Sequence, residues 1–262
     1  MPDKLRHKAK ELLRDGAVKV VIGYGEGSSG RIRALFIRDP EESERLVFDS
    51  RCLQNLAVYL AKREVRALGK PAIVAPLPVL RAIDRLANER QIKDGDIAVI
   101  GVSDSGDVLD LPDLKSVAEY VSGKPLELTP DQRAAVGKID AMSPSERWNF
   151  WLGELSACIK CYACRAGCPL CYCERCTVEC NQPQWISVPS HDMGNIEWHV
   201  MRAMHLAGRC VNCGDCARNC PLGIPLDLLN QRIIADIAEH FGAEGGYALS
   251  AFKPDDTEDF IR

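Results

Sequence analysis

The chain has 262 residues, a formal net charge of −4 at pH 7, 46% hydrophobic residues and 27% charged residues. This composition is ordinary for a globular protein of one large domain or two modest ones, and the acidic balance argues against nucleic-acid binding, which needs clustered Lys and Arg. The sequence has no run of about 18 apolar residues, and its first residues are too charged for a signal peptide, so we expect a cytoplasmic protein without a transmembrane segment.

Helix-like and strand-like segments alternate in the first part of the chain. Apolar residues at helical spacing predict helices over residues 4–14, 53–68 and 79–90. Runs of β-branched or alternating apolar residues predict strands over residues 17–24, 31–37, 46–49, 71–75 and 97–102. This order indicates a small α/β domain at residues 1–120.

A glycine-rich segment, Gly25-x-Gly27-x-x-Gly30, comes after the first of these strands. Its spacing matches a dinucleotide-binding loop, but such a loop opens a helix, and the residues that come next here are strand-like. We therefore interpret the segment as the loop of a β-hairpin.

The composition changes after residue 120. Residues 121–147 contain Pro, Gly and Ser and are predicted to form a linker. Helices are predicted over residues 146–157, 195–207 and 225–241, so the domain at residues 148–241 is expected to be mainly helical. Residues 242–262 lack periodicity and are interpreted as a tail that docks a partner.

Cysteine is strongly concentrated in the second half. Of 13 cysteines, 12 lie between Cys158 and Cys220, and the remaining one is Cys52. Since the expected compartment is reducing, such a density indicates metal ligands rather than disulfides. Cys52, alone in its domain, is interpreted as a small buried apolar residue.

Two cysteine runs contain the candidate metal ligands. Both have the spacing C-x2-C-x2-C-x3-C-P of bacterial ferredoxins that hold two four-iron, four-sulfur (4Fe-4S) clusters. The fourth cysteine of each run then ligates the cluster of the other run. The predicted ligands of cluster 1 are Cys158, Cys161, Cys164 and Cys220, and those of cluster 2 are Cys210, Cys213, Cys216 and Cys168. The second domain is therefore predicted to be a dicluster ferredoxin domain of bacterial type.

Zinc held by CxxC pairs is the alternative for these runs. Zinc takes four ligands from separated pairs and gains nothing from a third cysteine in series or from the trailing Cys-Pro, so two complete runs favour clusters. A third group comes directly after the first run and is made of Cys171, Cys173, Cys176 and Cys180. Its CxCxxCxxxC spacing leaves two interpretations open: a third metal centre, more readily iron–sulfur than zinc, or thiols that only pack beside the clusters.

Other residues near the runs have simpler interpretations. His199 and His205 are expected to pack on a helix rather than to bind metal. The tryptophans are expected to keep water away from the clusters; they are Trp148, Trp151, Trp185 and Trp198.

The chain also resembles a known family. The segments VIGYGEGSSGRIRALFIRDPEE, FDSRCLQNLAVYLAKRE and CIKCYACRAGCPLCYCERC are similar to the beta subunits of deazaflavin-reducing hydrogenases and formate dehydrogenases. The resemblance implies partners such as flavoproteins, hydrogenases, formate dehydrogenases or heterodisulfide-reductase-like complexes of anaerobic metabolism. Relatives often carry cysteines where this chain reads VAPLPVLRAID and GVSDSGDV, so a metal site in the first domain is not expected.

Three functions are consistent with the sequence. The first is a non-catalytic electron-transfer subunit of an oxidoreductase complex, with two 4Fe-4S clusters and room for a third. The second is an oxidoreductase subunit whose first domain binds FAD or a deazaflavin that feeds the clusters. The third is a structural protein whose metal ions only stabilise the fold, a function that the two ferredoxin-type runs disfavour.

Overall fold

The computed structural model describes residues 2–174, residue 176 and residues 186–241. The chain forms two compact units, and the boundary between them falls between Lys124 and Pro125. No helix among these described residues is both long and apolar enough to cross a membrane.

The first unit is built on a five-stranded mixed sheet with the strand order β2-β1-β3-β4-β5. Strands β1, β3 and β4 run parallel, whereas β2 and β5 pair antiparallel at the two edges. The strands are β1 (Val20–Glu26), β2 (Ile32–Ile37), β3 (Pro71–Ala75), β4 (Ala98–Val102) and β5 (Val108–Leu109). Every residue of β3 is buried, as expected for a parallel strand at the centre of a covered sheet.

Helices α1 (Pro2–Arg14) and α3 (Leu77–Asn88) contact this sheet. The unit also contains α2 (Arg63–Arg66) and α4 (Leu114–Ser122). Helix α3 contacts β3, β4 and α4, and it buries Leu80, Ile83 and Leu86 completely. The unit is thus of the mixed α/β class that the sequence predicts.

Several predicted elements differ locally. The glycine-rich segment is the predicted hairpin loop, because β1 and β2 pair antiparallel with Glu26 opposite Ile32. The predicted strand 46–49 is reduced to a bridge between Gly25 and Leu46. The predicted helix 53–68 is interrupted: a 3-10 turn covers Leu56–Tyr59, and α2 forms separately after it. The side-chain amide of Asn55 starts that turn, accepting from the Ala57 N–H and donating to the Pro78 carbonyl.

Every regular element that the structure describes in the second unit is a helix. The helices are α5 (Pro130–Asp140), α6 (Pro144–Ser156), α7 (Ala163–Ala166), α8 (Asp192–His205), α9 (Asp215–Arg218) and α10 (Leu226–Phe241). The stretch predicted as a linker, 121–147, contains α5 and the start of α6. Thr129 and Ser143 cap these two helices through capping boxes, and each precedes a proline at the first helical position.

The buried face of α3 generates a prediction for the first unit. Leu80→Ala should lower the free energy of unfolding by about 2–5 kcal/mol, since Leu80 is fully buried and its loss leaves a cavity. Leu53→Ala is the matched control: 57% of Leu53 is exposed, so it should change stability by less than about 0.5 kcal/mol. Anaerobic urea unfolding monitored by circular dichroism measures both, and equal effects would contradict the described packing.

Candidate metal centres

The two cysteine runs adopt the same backbone geometry. Lys160 and Asn212, which precede the second cysteine of each run, have φ values of 51° and 53°. Tyr162 and Gly214, which come directly after it, have φ values of 59° and 73°. Three of these four are not glycines, and a left-handed non-glycine residue costs about 1–3 kcal/mol. Such strain, repeated at the same positions of both runs, indicates a functional constraint on the loops.

The loop geometry turns backbone N–H groups toward sulfur. The Lys160 N–H donates to the Cys158 Sγ at 3.3 Å, and the equivalent N–H of Asn212 donates to Cys210. Alternation of right- and left-handed residues produces a concave array of N–H groups that favours anions. The loops are therefore suited to thiolates and to a negatively charged cluster bound by them.

The first predicted ligand set surrounds one cavity. Cys158, Cys161 and Cys164 line it from the first run, and Cys220 lines it from the end of the second run. Burial raises the pKa of Cys158, and the neighbouring Cys161 and Cys220 thiolates raise it further. The structure thus brings the last cysteine of the second run to the loop of the first.

The second predicted set is also brought together. Burial raises the pKa of Cys210 to about 12, and the thiolates of Cys168 and Cys216 add to the effect. Burial likewise raises the pKa of Cys213, with contributions from Asp215, Cys210 and Cys168. Cys168, the last cysteine of the first run, therefore lies among the sulfurs of the second run.

This exchange depends on a close approach of the two runs. The short helices α7 and α9 contact each other. Gly167 and Asn219 directly precede the exchanged cysteines, and a Cβ on Gly167 would lie 2.0 Å from the Asn219 Nδ2. A glycine at position 167 accordingly lets the two segments meet.

The distances between the cysteine sulfurs can be compared with those of a zinc site. Four sulfurs bound tetrahedrally at about 2.3 Å from one zinc ion would lie about 3.8 Å apart. Across the part of the chain that the structure describes, no three cysteine sulfurs lie within 4.8 Å of one another. A 4Fe-4S cluster binds its thiolates through separate irons and needs a wider set.

A buried arginine, which the sequence analysis did not single out, lies among these cysteines. Only 6% of Arg202 is exposed, and its Nη2 donates to the Cys164 carbonyl at 3.0 Å. Burial alone would lower its pKa, but the Cys171, Cys168, Cys164 and Cys216 thiolates together raise it. Its position one helical turn after Trp198, on the buried face of α8, is the sequence feature that could have indicated its burial.

Two buried amides were also missed. The Asn195 Nδ2 donates to the carbonyls of Leu155 and Cys158, at 3.1 and 2.8 Å, and so ties α8 to the start of the first run. The Asn230 Nδ2 lies 3.8 Å from the Cys216 Sγ and 3.3 Å from the Leu226 carbonyl. In both cases a polar residue lies at helical spacing among apolar neighbours, and this sequence pattern could have indicated a buried amide.

The third cysteine group is only partly described, because Cys180 lies outside the described residues. Cys171 hydrogen bonds to Cys168 and thereby lowers the pKa of that thiol. Cys173 is exposed, and Cys176 packs against the apolar residues around Trp198. A third centre remains a prediction.

The aromatic and histidine predictions have mixed outcomes. Trp198 is buried and lines the cavity of the first set, and Trp151 packs against the same core. Trp148 is 48% exposed, so it does not provide the expected cover, and Trp185 lies outside the described residues. His205 is exposed, whereas His199 lines the cavity.

Cys52 lies in the first unit and is buried there. Its thiol approaches the Val47 carbonyl at 3.8 Å, its Sγ accepts from the Asp49 N–H at 3.4 Å, and burial raises its pKa. This is the small buried side chain that the sequence predicts.

Comparison with known proteins gives a partial relative. The chain is 34% identical over 99 residues to the beta subunit of an F420-dependent formate dehydrogenase from Methanocaldococcus jannaschii. The match covers 37% of this chain and 24% of the relative, so the chain spans about a quarter of that protein's length. No protein-family model matches the chain. The match supports a relationship to formate dehydrogenase beta subunits, and it says nothing of heterodisulfide reductases or of a flavin in this chain.

The Asn195 contacts generate a prediction for the centres. Asn195→Ala should lower the stability of the segment at residues 155–158 by about 1–3 kcal/mol, because it removes two buried hydrogen bonds. The measurement is the rate at which a chelator removes iron from anaerobic protein, which should rise. Asn88→Ala, which removes an amide that donates to Asp84 in the first unit, should leave that rate unchanged; a similar rise in both variants would contradict the role of Asn195.

Proposed function

We propose that the chain is an electron-transfer subunit that carries two 4Fe-4S clusters within a multi-subunit oxidoreductase complex, and that it has no catalytic site of its own. The proposed ligands of cluster 1 are Cys158, Cys161, Cys164 and Cys220. Those of cluster 2 are Cys168, Cys210, Cys213 and Cys216.

One observation carries this proposal: the two runs repeat the same strained loop geometry, and each receives the last cysteine of the other. A metal ion that only stabilises the fold would not need the same loop geometry in both runs, because a zinc site needs only four ligands close together. Two centres linked through exchanged ligands are instead close enough to pass electrons to each other.

The difference in exposure between the sulfurs suggests where a redox partner exchanges electrons with the unit. Cys164 of the first set and Cys216 of the second are both buried and influence each other electrostatically. Cys161 is exposed, and Ile159 beside it is 61% exposed. When bound, the clusters would each accept and release one electron, and the Cys161 edge is where we place the approach of a partner.

The relative supports the choice of partners. Its name describes a subunit of a formate dehydrogenase, and we infer that this chain also works with other redox subunits. Hydrogenases, formate dehydrogenases and heterodisulfide-reductase-like flavoproteins are the proposed classes, in anaerobic metabolism and in the cytoplasm. The tail at residues 242–262, proposed to dock such a partner, lies outside the described residues.

Paired cysteine variants test the ligand exchange. Cys161→Ala and Cys220→Ala should remove the same electron paramagnetic resonance (EPR) signal, although the two cysteines are 59 positions apart in the sequence. Cys168→Ala and Cys213→Ala should both remove the other signal. Spectra of dithionite-reduced, anaerobically prepared protein provide the measurement.

Cys52→Ala is the control for these variants, since Cys52 belongs to the first unit and should leave both signals intact. If Cys220→Ala removed the signal that Cys213→Ala removes, each run would ligate its own cluster. If no variant altered the spectrum, the ligand set itself would be wrong.

A second test concerns the complex. Anaerobic affinity purification of the tagged chain should recover other redox subunits at fixed stoichiometry, and the purified chain alone should contain the clusters without flavin. Stoichiometric FAD in the isolated chain would contradict the non-catalytic function and favour a flavin-binding subunit.

A further inference from the structure

Three nitrogen atoms on the buried face of α8 have no hydrogen-bond partner among the described residues. They are the Nε1 of Trp198, the Nε2 of His199 and the Nε of Arg202. The three side chains are 2%, 2% and 6% exposed. A buried polar group without a partner costs about 1–3 kcal/mol, so three on adjacent turns of one helix require an explanation.

These side chains are held in place by packing. The Trp198 ring lies 4.8 Å from the His199 ring, edge to face, and 5.3 Å from the Tyr162 ring. The Arg202 guanidinium is fixed by its bond to the Cys164 carbonyl. Contacts with other protein groups therefore orient Trp198, His199 and Arg202.

The position of each group relates it to the cysteines. Trp198 and His199 line the cavity together with the first ligand set. Arg202 is within electrostatic reach of Cys164 in the first set and of Cys168 and Cys216 in the second. Trp198 and His199 thus face one centre, whereas Arg202 lies between the two.

We propose that α8 sets the reduction potentials of both centres: Trp198 and His199 donate hydrogen bonds to sulfur at the first, and Arg202 provides a positive charge and a donor shared by the two. This rests on the function proposed above. Hydrogen bonds to sulfur and nearby charge are established means of adjusting cluster potentials.

The direction of the effect is set by charge. Reduction adds one electron to an already negative centre, so a buried cation stabilises the reduced form and raises the potential. Donors to sulfur act in the same direction. His199 lines the cavity, and its Nε2 has no hydrogen-bond partner among the described residues, so that nitrogen is available as a donor.

The test is a redox titration of purified, cluster-loaded full-length chain, monitored by EPR, with each signal assigned beforehand by the cysteine variants. Arg202→Gln and Arg202→Met should lower the reduced-to-oxidised ratio of both centres at a fixed potential by at least about tenfold, which is about 59 mV for a one-electron couple. Arg202→Lys keeps the charge and should restore most of this loss. His199→Phe should lower the ratio about threefold at the first centre alone.

Arg133→Gln is the matched control, because Arg133 is an exposed arginine on α5 of the same unit and should leave both potentials unchanged. Unchanged potentials in an iron-loaded Arg202→Gln or Arg202→Met variant would overturn the proposal. Loss of iron from both variants would also overturn it, since Arg202 would then be structural. Absence of iron from the unmodified chain would instead refute the proposed function, so the two failures are distinguishable.

Discussion

The proposed clusters place one constraint on the second unit: eight cysteine sulfurs, of which those of Cys158, Cys164 and Cys216 are buried, must be held next to one another. Burial raises the pKa of Cys164 to about 11 and also raises the pKa of Cys216, so both thiols hold their protons at pH 7. A cluster would require thiolates, so its binding would release protons and stabilise the fold that brings the sulfurs together. The left-handed residues in both loops, which include Lys160 and Tyr162, are tolerated only because the surrounding helices fix the loops.

Polar side chains from other parts of the unit point inward and contact the cysteine runs. Asn195 ties α8 to the first run, Asn230 reaches the Cys216 sulfur from α10, and Arg202 bonds the backbone at Cys164. Buried polar groups are normally satisfied within the protein, yet α8 keeps three nitrogens unpartnered in the described part of the chain. Helix α8 is thus both a wall of the cavity and a source of donors. The first unit has its own sheet, and it buries the single cysteine of that unit, Cys52.

Features that depend on residue spacing could be predicted from the sequence, whereas several that depend on tertiary context could not. The cysteine runs, the hairpin after Gly25 and the α/β class were predictable, because each depends on residues close together in the chain. The region 121–147 was interpreted as a linker because Pro130 and Pro144 resemble linker composition, although prolines at these positions start helices. Arg202 was missed because arginines are usually exposed, and only tertiary structure shows one surrounded by cysteines.

Binding of two iron–sulfur cubanes by these cysteines can be measured by X-ray absorption at the iron edge, together with iron and sulfide analysis of anaerobically purified chain. We expect iron–sulfur and iron–iron scattering with about eight irons and eight sulfides per chain, or about twelve of each if the third cysteine group also binds a cluster. Zinc at the cysteines, or iron without iron–iron scattering and without sulfide, would contradict this expectation.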